Sequence, residues 1–572
     1  MSTHPNKIPE KIRIEGDHKT AIETGRNRLV IAGALFAAAF LLIGFRVISV
    51  SIFVEDSEPR YTRSVAVNET NTGRADITDR HGVLLATSLA TASLYANPRL
   101  VHDPEQAAIR LSRALPDINL GAIEKKLRSD RGFVWLRRHL TPRQQYAVNR
   151  LGIPALNFQR EVRRVYPLGQ MASHVLGYTD IDSKGLAGVE RYFDKELRTR
   201  QRNLELSLDV RVQHVLEHEL REAMKTFSAI GAAGLVMDVN TGEIVAMASL
   251  PGFDPNQLGA VAEKMFFNRT TLGVYEMGST FKIFTTAMAL DAGTITLKDG
   301  YDTTDPIRIK RFVIRDFHAK KRWLSVPEIF MYSSNIGAVK MALGVGTRGQ
   351  RQFLNKLGML QPVGIELNET TAPLSPTRWR EINTMTISYG HGLAVSPLHL
   401  VAGVSAMVNG GVYRTPSLIR QQRGEAVIGN RRIISPETSK KIRQLMRLVV
   451  EKGTGGRAAV PGYFIGGKTG TAEKASGGGY RKKALISSFV AAFPMTNPKY
   501  VVLTMLDEAK GTAKTHGFAT GGWVAAPVVG AVIRRIAPVL GVHPIKNEAA
   551  AQKALTLKIN GKSPRGQRFA AH

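Results

Sequence analysis

The sequence predicts an α+β protein in three parts: one N-terminal apolar helix, an elongated mixed α/β spacer, and a larger domain with an antiparallel five-stranded sheet flanked by helices. Three observations carry this. Leu29 to Phe45 is an unbroken run of apolar or small residues. From Glu55 to about Phe227 short strand-like and helical pieces alternate. Beyond that come two strands, a helical middle and three more strands, an order that suits a sheet covered by helices.

The bulk numbers bound the answer before any motif is read. The 572 residues are 43% hydrophobic and 22% charged, which are globular values with length for several domains. A formal net charge of +31 points to an anionic partner: nucleic acid, a membrane surface or a polyanionic polymer. There are no cysteines, so disulfide and thiol chemistry are excluded.

The Leu29–Phe45 run makes about 25 Å of helix, and apolar character resumes past Arg46. Lys7, Lys11, Arg13, Lys19, Arg26 and Arg28 precede it, whereas the flank to Arg63 carries only Arg46, Arg60 and Arg63. That bias predicts a cytoplasmic N-terminus and a chain outside the membrane thereafter, with no small-x-small cleavage site to release it. The expected segments are a cytoplasmic tail over 1–28, a transmembrane anchor over 29–53, a periplasmic spacer over 54–227, the larger domain over 228–540 and a disordered basic tail over 541–572. Nucleic acid is disfavoured as a partner because the basic segments lie outside the cytoplasm.

Local signals place the elements. In the spacer, Thr141-Pro142 caps a helix that stops by Gly152, and Asp209 caps another running to about Ser228. Ala233 to Val239, the turn Asn240-Thr241-Gly242 and Glu243 to Ser249 form a hairpin. A helix opens at Ser279, and Ser325-Val326-Pro327-Glu328 is a capping box that opens the next. Ser396-Pro397 and Ser435-Pro436-Glu437 start two more, ending near Gly410 and Gly453. Phe464–Ala472, Ala484–Phe493 and Tyr500–Leu506 are the late strands, and Val524 to Ile536 is a closing helix.

Chemistry concentrates at Gly278-Ser279-Thr280-Phe281-Lys282. A serine in the first helical turn meets free backbone N–H groups, and a lysine three residues on stands on the same face. A lysine serves as base when desolvation or a second cation lowers its pKa. Ser-x-x-Lys alone is a weak signal and by itself reads as a capping serine followed by a solvated lysine. It has two companions: Ser333-Ser334-Asn335, polar residues within an apolar helix, and Lys468-Thr469-Gly470-Thr471, on a strand whose glycines mark close approach of another backbone or a ligand. Together, in this order, they match the Ser-x-x-Lys, Ser-x-Asn, Lys-Thr-Gly set of penicillin-recognising enzymes.

On these motifs, and on Gly73 to Ser88, Arg164-Val165-Tyr166-Pro167, Gly185 to Glu190, Leu206-Ser207-Leu208-Asp209, Tyr275-Glu276-Met277 and Tyr389-Gly390-His391-Gly392, the chain resembles the class B penicillin-binding proteins, peptidoglycan D,D-transpeptidases, most of all their cell-division (FtsI) type. His391 departs from the aromatic expected there. The resemblance implies a serine β-lactamase-like catalytic domain on a dimerisation-like pedestal, with no cofactor and no metal. It implies that Ser279 is acylated by a stem peptide or a β-lactam and that Lys282 takes its proton. Ser333 would relay a proton to the leaving D-alanine, and Asn335 would hold Lys282 and the substrate amide. Lys468, Thr469 and Thr471 would grip the terminal carboxylate, Gly470 lying between them in the motif, and the N–H groups of Ser279 and Thr471 would form an oxyanion hole. A polytopic septal glycosyltransferase and other divisome proteins are the implied partners. An elongation-type transpeptidase and a non-catalytic penicillin sensor or scaffold are the alternatives.

Three other matches are set aside. Gly462 to Thr469 fits the P-loop pattern, but a strand runs through its lysine and no helix follows. His214-Val215-Leu216-Glu217-His218 fits a zinc-peptidase signature and is read as a solvated helix face. Glu366 lacks the spacing of a deacylating glutamate and is given no catalytic role. The basic run Arg308, Lys310, Arg311, Arg315, Lys320, Lys321 and Arg322, with Arg481-Lys482-Lys483, reads as a solvated surface able to steer acidic substrates.

Overall fold

The computed structural model describes residues 17–52, 73–199, 202–309, 312–421, 430–476 and 479–557. Two units result, one N-terminal to Thr72 and one from Gly73 onward. In the first, α1 spans Asp17–Ile52, longer than the apolar run predicts. Its side chains from Val30 to Phe45 are exposed apart from Gly44, including Leu35, Phe36, Phe40 and Leu41. Such a surface is costly in water and suits hydrocarbon. Among the described residues the apolar stretch Val30–Phe45 is shorter than a typical span, whereas Gly521–Val539 is long and apolar enough to cross a membrane, yet over half of it is buried in the protein, which makes it a core element.

The spacer is built on β1 (Ile77–Thr78), β2 (Leu84–Ala96), β3 (Val134–Leu140), β4 (Leu156–Val165) and β5 (Leu204–Glu205). The long β2 pairs antiparallel with β1, β3 and β4, and β1 pairs parallel with β5. Three of the quoted stretches meet in one buried ion cluster. Arg74 Nε and Arg164 Nε donate to the two carboxylate oxygens of Glu190 at 2.8 and 2.6 Å, and the Tyr166 hydroxyl adds a bond at 3.4 Å. All three charged side chains are at most 2% exposed. Removing one member strands the rest in a dry site. Glu190→Gln is therefore expected to cost about 3 kcal/mol or more, read as a lower urea midpoint for the chain from Gly73 onward.

The helix α2 (Val210–Thr226), read from the sequence as the end of the spacer, packs on the sheet of the larger domain, and its first turn is capped by the Asp209 carboxylate as expected. Then come β6 (Gly231–Asp238) and β7 (Ile244–Leu250), the predicted hairpin. Next are α3 (Lys282–Asp291), α4 (Val326–Tyr332), α5 (Asn335–Lys356), α6 (Pro397–Val408) and α7 (Pro436–Lys452). The last strands are β8 (Gly466–Ser476), β9 (Gly479–Phe493) and β10 (Tyr500–Asp507), followed by α8 (Ala526–Val539). The sheet runs β8-β9-β10-β6-β7, every neighbour antiparallel, with β8 at its edge.

Both faces of this sheet are covered. Leu235, Met237, Val501 and Leu503 pack with Phe284 of α3 and with α6 on one side. Val236, Val502 and Leu506 pack with α2 and α8 on the other. Period-two alternation thus sends neighbours into two different cores, which is why the strands read as continuous apolar runs.

Two expectations need correction. Ser333-Ser334-Asn335 does not lie inside the helix that the capping box opens. That helix, α4, ends at Ser333, which takes a left-handed conformation at φ 60°, and α5 starts at Asn335. Nor is the whole of 541–572 a disordered tail. Asn547 caps α9 (Glu548–Leu555), and Ala551 and Leu555 are buried. The stretch Glu548-Ala-Ala-Ala-Gln-Lys-Ala-Leu is rich in strong helix formers, a signal hidden beneath the basic charge count. Residues 1–16, 53–72 and 558–572 lie outside the described residues.

Candidate active site

The helix that carries Ser279 opens on a tighter turn than expected. Gly278–Phe281 is 3-10 and α3 proper starts at Lys282. Gly278 is required there: its φ is 54°, and a Cβ would lie 2.7 Å from the Thr471 carbonyl oxygen. The backbones of the Ser279 turn and of β8 are consequently in contact. Gly278 N also donates to Gly390 O at 3.2 Å, tying the turn to the Tyr389-Gly390-His391 loop. A side chain at Gly470 would strike the Met277 carbonyl at 2.7 Å, the backbone approach that a glycine in a strand suggested.

The three motifs converge on one amine. Lys282 Nζ lies 2.9 Å from Ser279 Oγ, 2.8 Å from Ser333 O, 3.2 Å from Ser333 Oγ and 2.7 Å from Asn335 Oδ1. Two of these partners, the Ser333 carbonyl and the Asn335 amide oxygen, can only accept. A neutral amine satisfies both with its two N–H bonds and keeps its lone pair for the Ser279 hydroxyl. Burial, then the charge of Lys468, holds the Lys282 pKa well below the ordinary lysine value, with Asp316 acting in the opposite direction. Lys468 Nζ donates to Ser333 Oγ at 2.8 Å, and burial brings its pKa down to about 7. The Ser333 hydroxyl therefore bridges the two lysines.

Thr469 and Thr471 lie on β8 beyond Lys468. Thr469 Oγ1 is 3.0 Å from Thr454 Oγ1, and Thr471 Oγ1 accepts from Gly521 N at 3.0 Å. Among the described residues no group of three or more His, Cys, Asp or Glu side chains converges as a metal site would.

Asp316 belongs to the site and is missing from the motif reading. Its carboxylate accepts from Ser334 Oγ at 2.7 Å, Asn335 N at 2.5 Å and Ile336 N at 3.0 Å, capping α5 where Asn335 is presented. It sits in a basic loop, so the sequence offered no signal for it. Asp316→Ala is expected to remove about 1–2 kcal/mol of stability. It should also slow acylation by a penicillin about tenfold, as Asn335 loses its anchor. Melting and acylation kinetics on the same preparation check both.

The motifs set aside earlier resolve as follows. Residues 466–476 are one strand that continues past Lys468 with no helix behind it. His214 and His218 are exposed on α2, but Glu217 is buried, accepting from Ala172 N and Gln213 Nε2, so it is not part of a solvated face. Glu366 accepts from the Ser417 hydroxyl and Leu418 N, a structural duty. In the basic loop Arg308, Lys320 and Lys321 are exposed, while Arg322 pairs with Glu328.

Comparison with known proteins agrees with this geometry. The penicillin-binding protein transpeptidase domain matches residues 232–534. The penicillin-binding protein dimerisation domain matches residues 69–223. The probable peptidoglycan D,D-transpeptidase FtsI of Caulobacter vibrioides is 43% identical over 483 residues, 82% of this chain and 82% of that protein. The peptidoglycan D,D-transpeptidase FtsI of Escherichia coli K12 is 29% identical over 573 residues, covering 94% and 95%. In fold, the chain resembles penicillin binding protein 3 from Mycobacterium tuberculosis, with a TM-score of 0.66 at 23% identity over 83% of this chain and 97% of that one.

Proposed function

This chain belongs to the class B penicillin-binding proteins, the family of peptidoglycan D,D-transpeptidases, and from that membership we propose that it cross-links stem peptides at the division septum through an acyl-enzyme on Ser279. The observation that carries the assignment is Lys282, buried, positioned at 2.9 Å from Ser279 Oγ and depressed in pKa. Ser279 Oγ attacks the carbonyl between the two terminal D-alanines while its proton passes to Lys282 Nζ. The N–H groups of Ser279 and Thr471 receive the developing oxyanion, a contribution of about 3–4 kcal/mol per donor. Ser333, between the lysines, hands a proton to the departing D-alanine amine. Lys468, Thr469 and Thr471 hold the terminal carboxylate, and Asn335 orients Lys282. The amine of a neighbouring stem then attacks the ester, releasing Ser279 and forming the cross-link. A β-lactam acylates the same oxygen and stays there.

The exposed apolar face of α1 supports an inner-membrane anchor, with the basic N-terminal side in the cytoplasm and the catalytic domain in the periplasm. A polytopic glycosyltransferase beside that anchor is the partner that would supply nascent glycan strands. Peptide mapping after incubation with a penicillin should find the adduct on the peptide holding Ser279, and an adduct elsewhere overturns the nucleophile. Depletion of the protein should give filamentous cells, whereas rounded cells would assign it to elongation.

A further inference from the structure

Many arginines here are tied to carboxylates, as Arg74, Arg138, Arg164 and Arg211 are. Arg457 is different. It lies exposed in the 3-10 turn Gly456–Ala458 that follows α7, and its guanidinium carbon stands 3.4 Å from the centre of the Trp523 ring. Among the described residues its N–H groups have no hydrogen-bond or ion-pair partner in the protein. The indole beneath it is fixed in turn: Phe518 stacks on it at 5.8 Å and His516 meets it edge-on at 5.6 Å. A guanidinium held flat on an aromatic ring keeps its donor fork free and loses little freedom when an anion arrives.

This platform adjoins the strand that faces substrate. Thr454, three residues before Arg457, contacts Thr469 through their hydroxyls at 3.0 Å. Gly522, the residue before Trp523, is so close that a Cβ would lie 2.7 Å from Thr454 O and 3.5 Å from Thr469 Cγ2. Gly521 donates to Thr471 Oγ1. Both turns that build the platform therefore bear on the two threonines of the Lys-Thr-Gly-Thr segment.

We propose that Arg457, held on Trp523, is a specificity-determining residue that receives the terminal carboxylate of the donor peptide, or of a β-lactam, at the outer end of the Thr469–Thr471 strand. This rests on the acyl-enzyme reading given above. Lys468 shares that carboxylate, but it is fully buried, its Nζ also donates to Ser333, and burial brings its pKa down to about 7, so near neutrality it supplies only part of a charge. A guanidinium at Arg457 supplies a planar, bidentate partner that an ammonium cannot.

The test pairs two proteins with two probes: wild type and Arg457→Gln, each with a penicillin and with the same penicillin esterified at its carboxylate. Arg457→Gln is expected to lower the second-order acylation constant of the free acid about tenfold and that of the ester less than twofold. Arg457→Lys, with charge but no fork, should fall between for the acid and match wild type for the ester. Equal losses with both probes would reduce Arg457 to a packing residue, and no loss with either would remove it from the site. The ester also controls for folding, because a disrupted domain loses both reactions. Failure of the wild type to be acylated at all would instead sink the acyl-enzyme reading.

Discussion

Ser279→Ala is expected to abolish covalent labelling by penicillin and to reduce cross-link formation to background, a loss on the order of a millionfold judged by comparable serine nucleophiles. The rival within the same pocket is Ser333, whose hydroxyl lies 2.8 Å from Lys468 Nζ and 3.2 Å from Lys282 Nζ. Backbone geometry separates the two. Ser279 occupies the first turn of its helix, where N–H groups lack intrahelical acceptors, and that turn touches Thr471. An oxyanion formed there meets donors. Ser333 closes a helix instead, and its N–H is spent on Phe330 O at 3.3 Å. The variant should melt close to wild type, since the one side-chain bond lost is to Lys282, which keeps Asn335 and the Ser333 carbonyl. Persistent labelling of Ser279→Ala, mapped to Ser333, would reverse the assignment of attacking and relaying hydroxyls.

How much of this was legible depended on the range of the forces involved. Local signals read correctly: the Ser325/Glu328 capping box, the Asn240-Thr241-Gly242 turn, the Asp209 cap and the three late strands are each set by neighbours in sequence. The break at Ser333 was not legible. Its flanks, Ile329-Phe330-Met331 and Ile336-Gly337-Ala338, keep a helical apolar period, and a residue with a Cβ resists φ 60°. Bonds from Lys282 to the Ser333 carbonyl and from Lys468 to its hydroxyl hold it there, both from remote segments. The strain presents Ser333 Oγ to both lysines. Asp316 was hidden for the same reason, acting 18 to 20 residues away from a loop with no period of its own. In the spacer, stretches around Arg74, Arg164 and Glu190 stood out individually, but their meeting across 116 residues is a property of the folded sheet alone.

Lys282→Ala should slow acylation by a penicillin about 10³-fold or more, the range expected when a positioned general base is removed. Deleting the amine relieves a desolvation cost but strips the Ser333 carbonyl and Asn335 Oδ1 of a donor, so a melting curve run beside the kinetics separates a lost base from a lost fold. The pH profile carries the finer test, and its sign follows from the two lysines. In the proposed mechanism Lys282 works as the neutral amine, so the second-order acylation constant should rise with pH through its depressed pKa, below the ordinary lysine range. In the same mechanism Lys468 works as the cation facing a carboxylate, so the constant should fall again as Lys468 loses its proton near 7 in the free protein. A bell results, and an anionic ligand already bound moves the falling limb upward by favouring the charged amine. Lys468→Arg keeps its charge across the whole range, and whatever activity survives should lose the falling limb. If that limb stays at the same pH in Lys468→Arg, another group titrates there. If the rising limb survives in Lys282→Ala, the proton of Ser279 goes elsewhere.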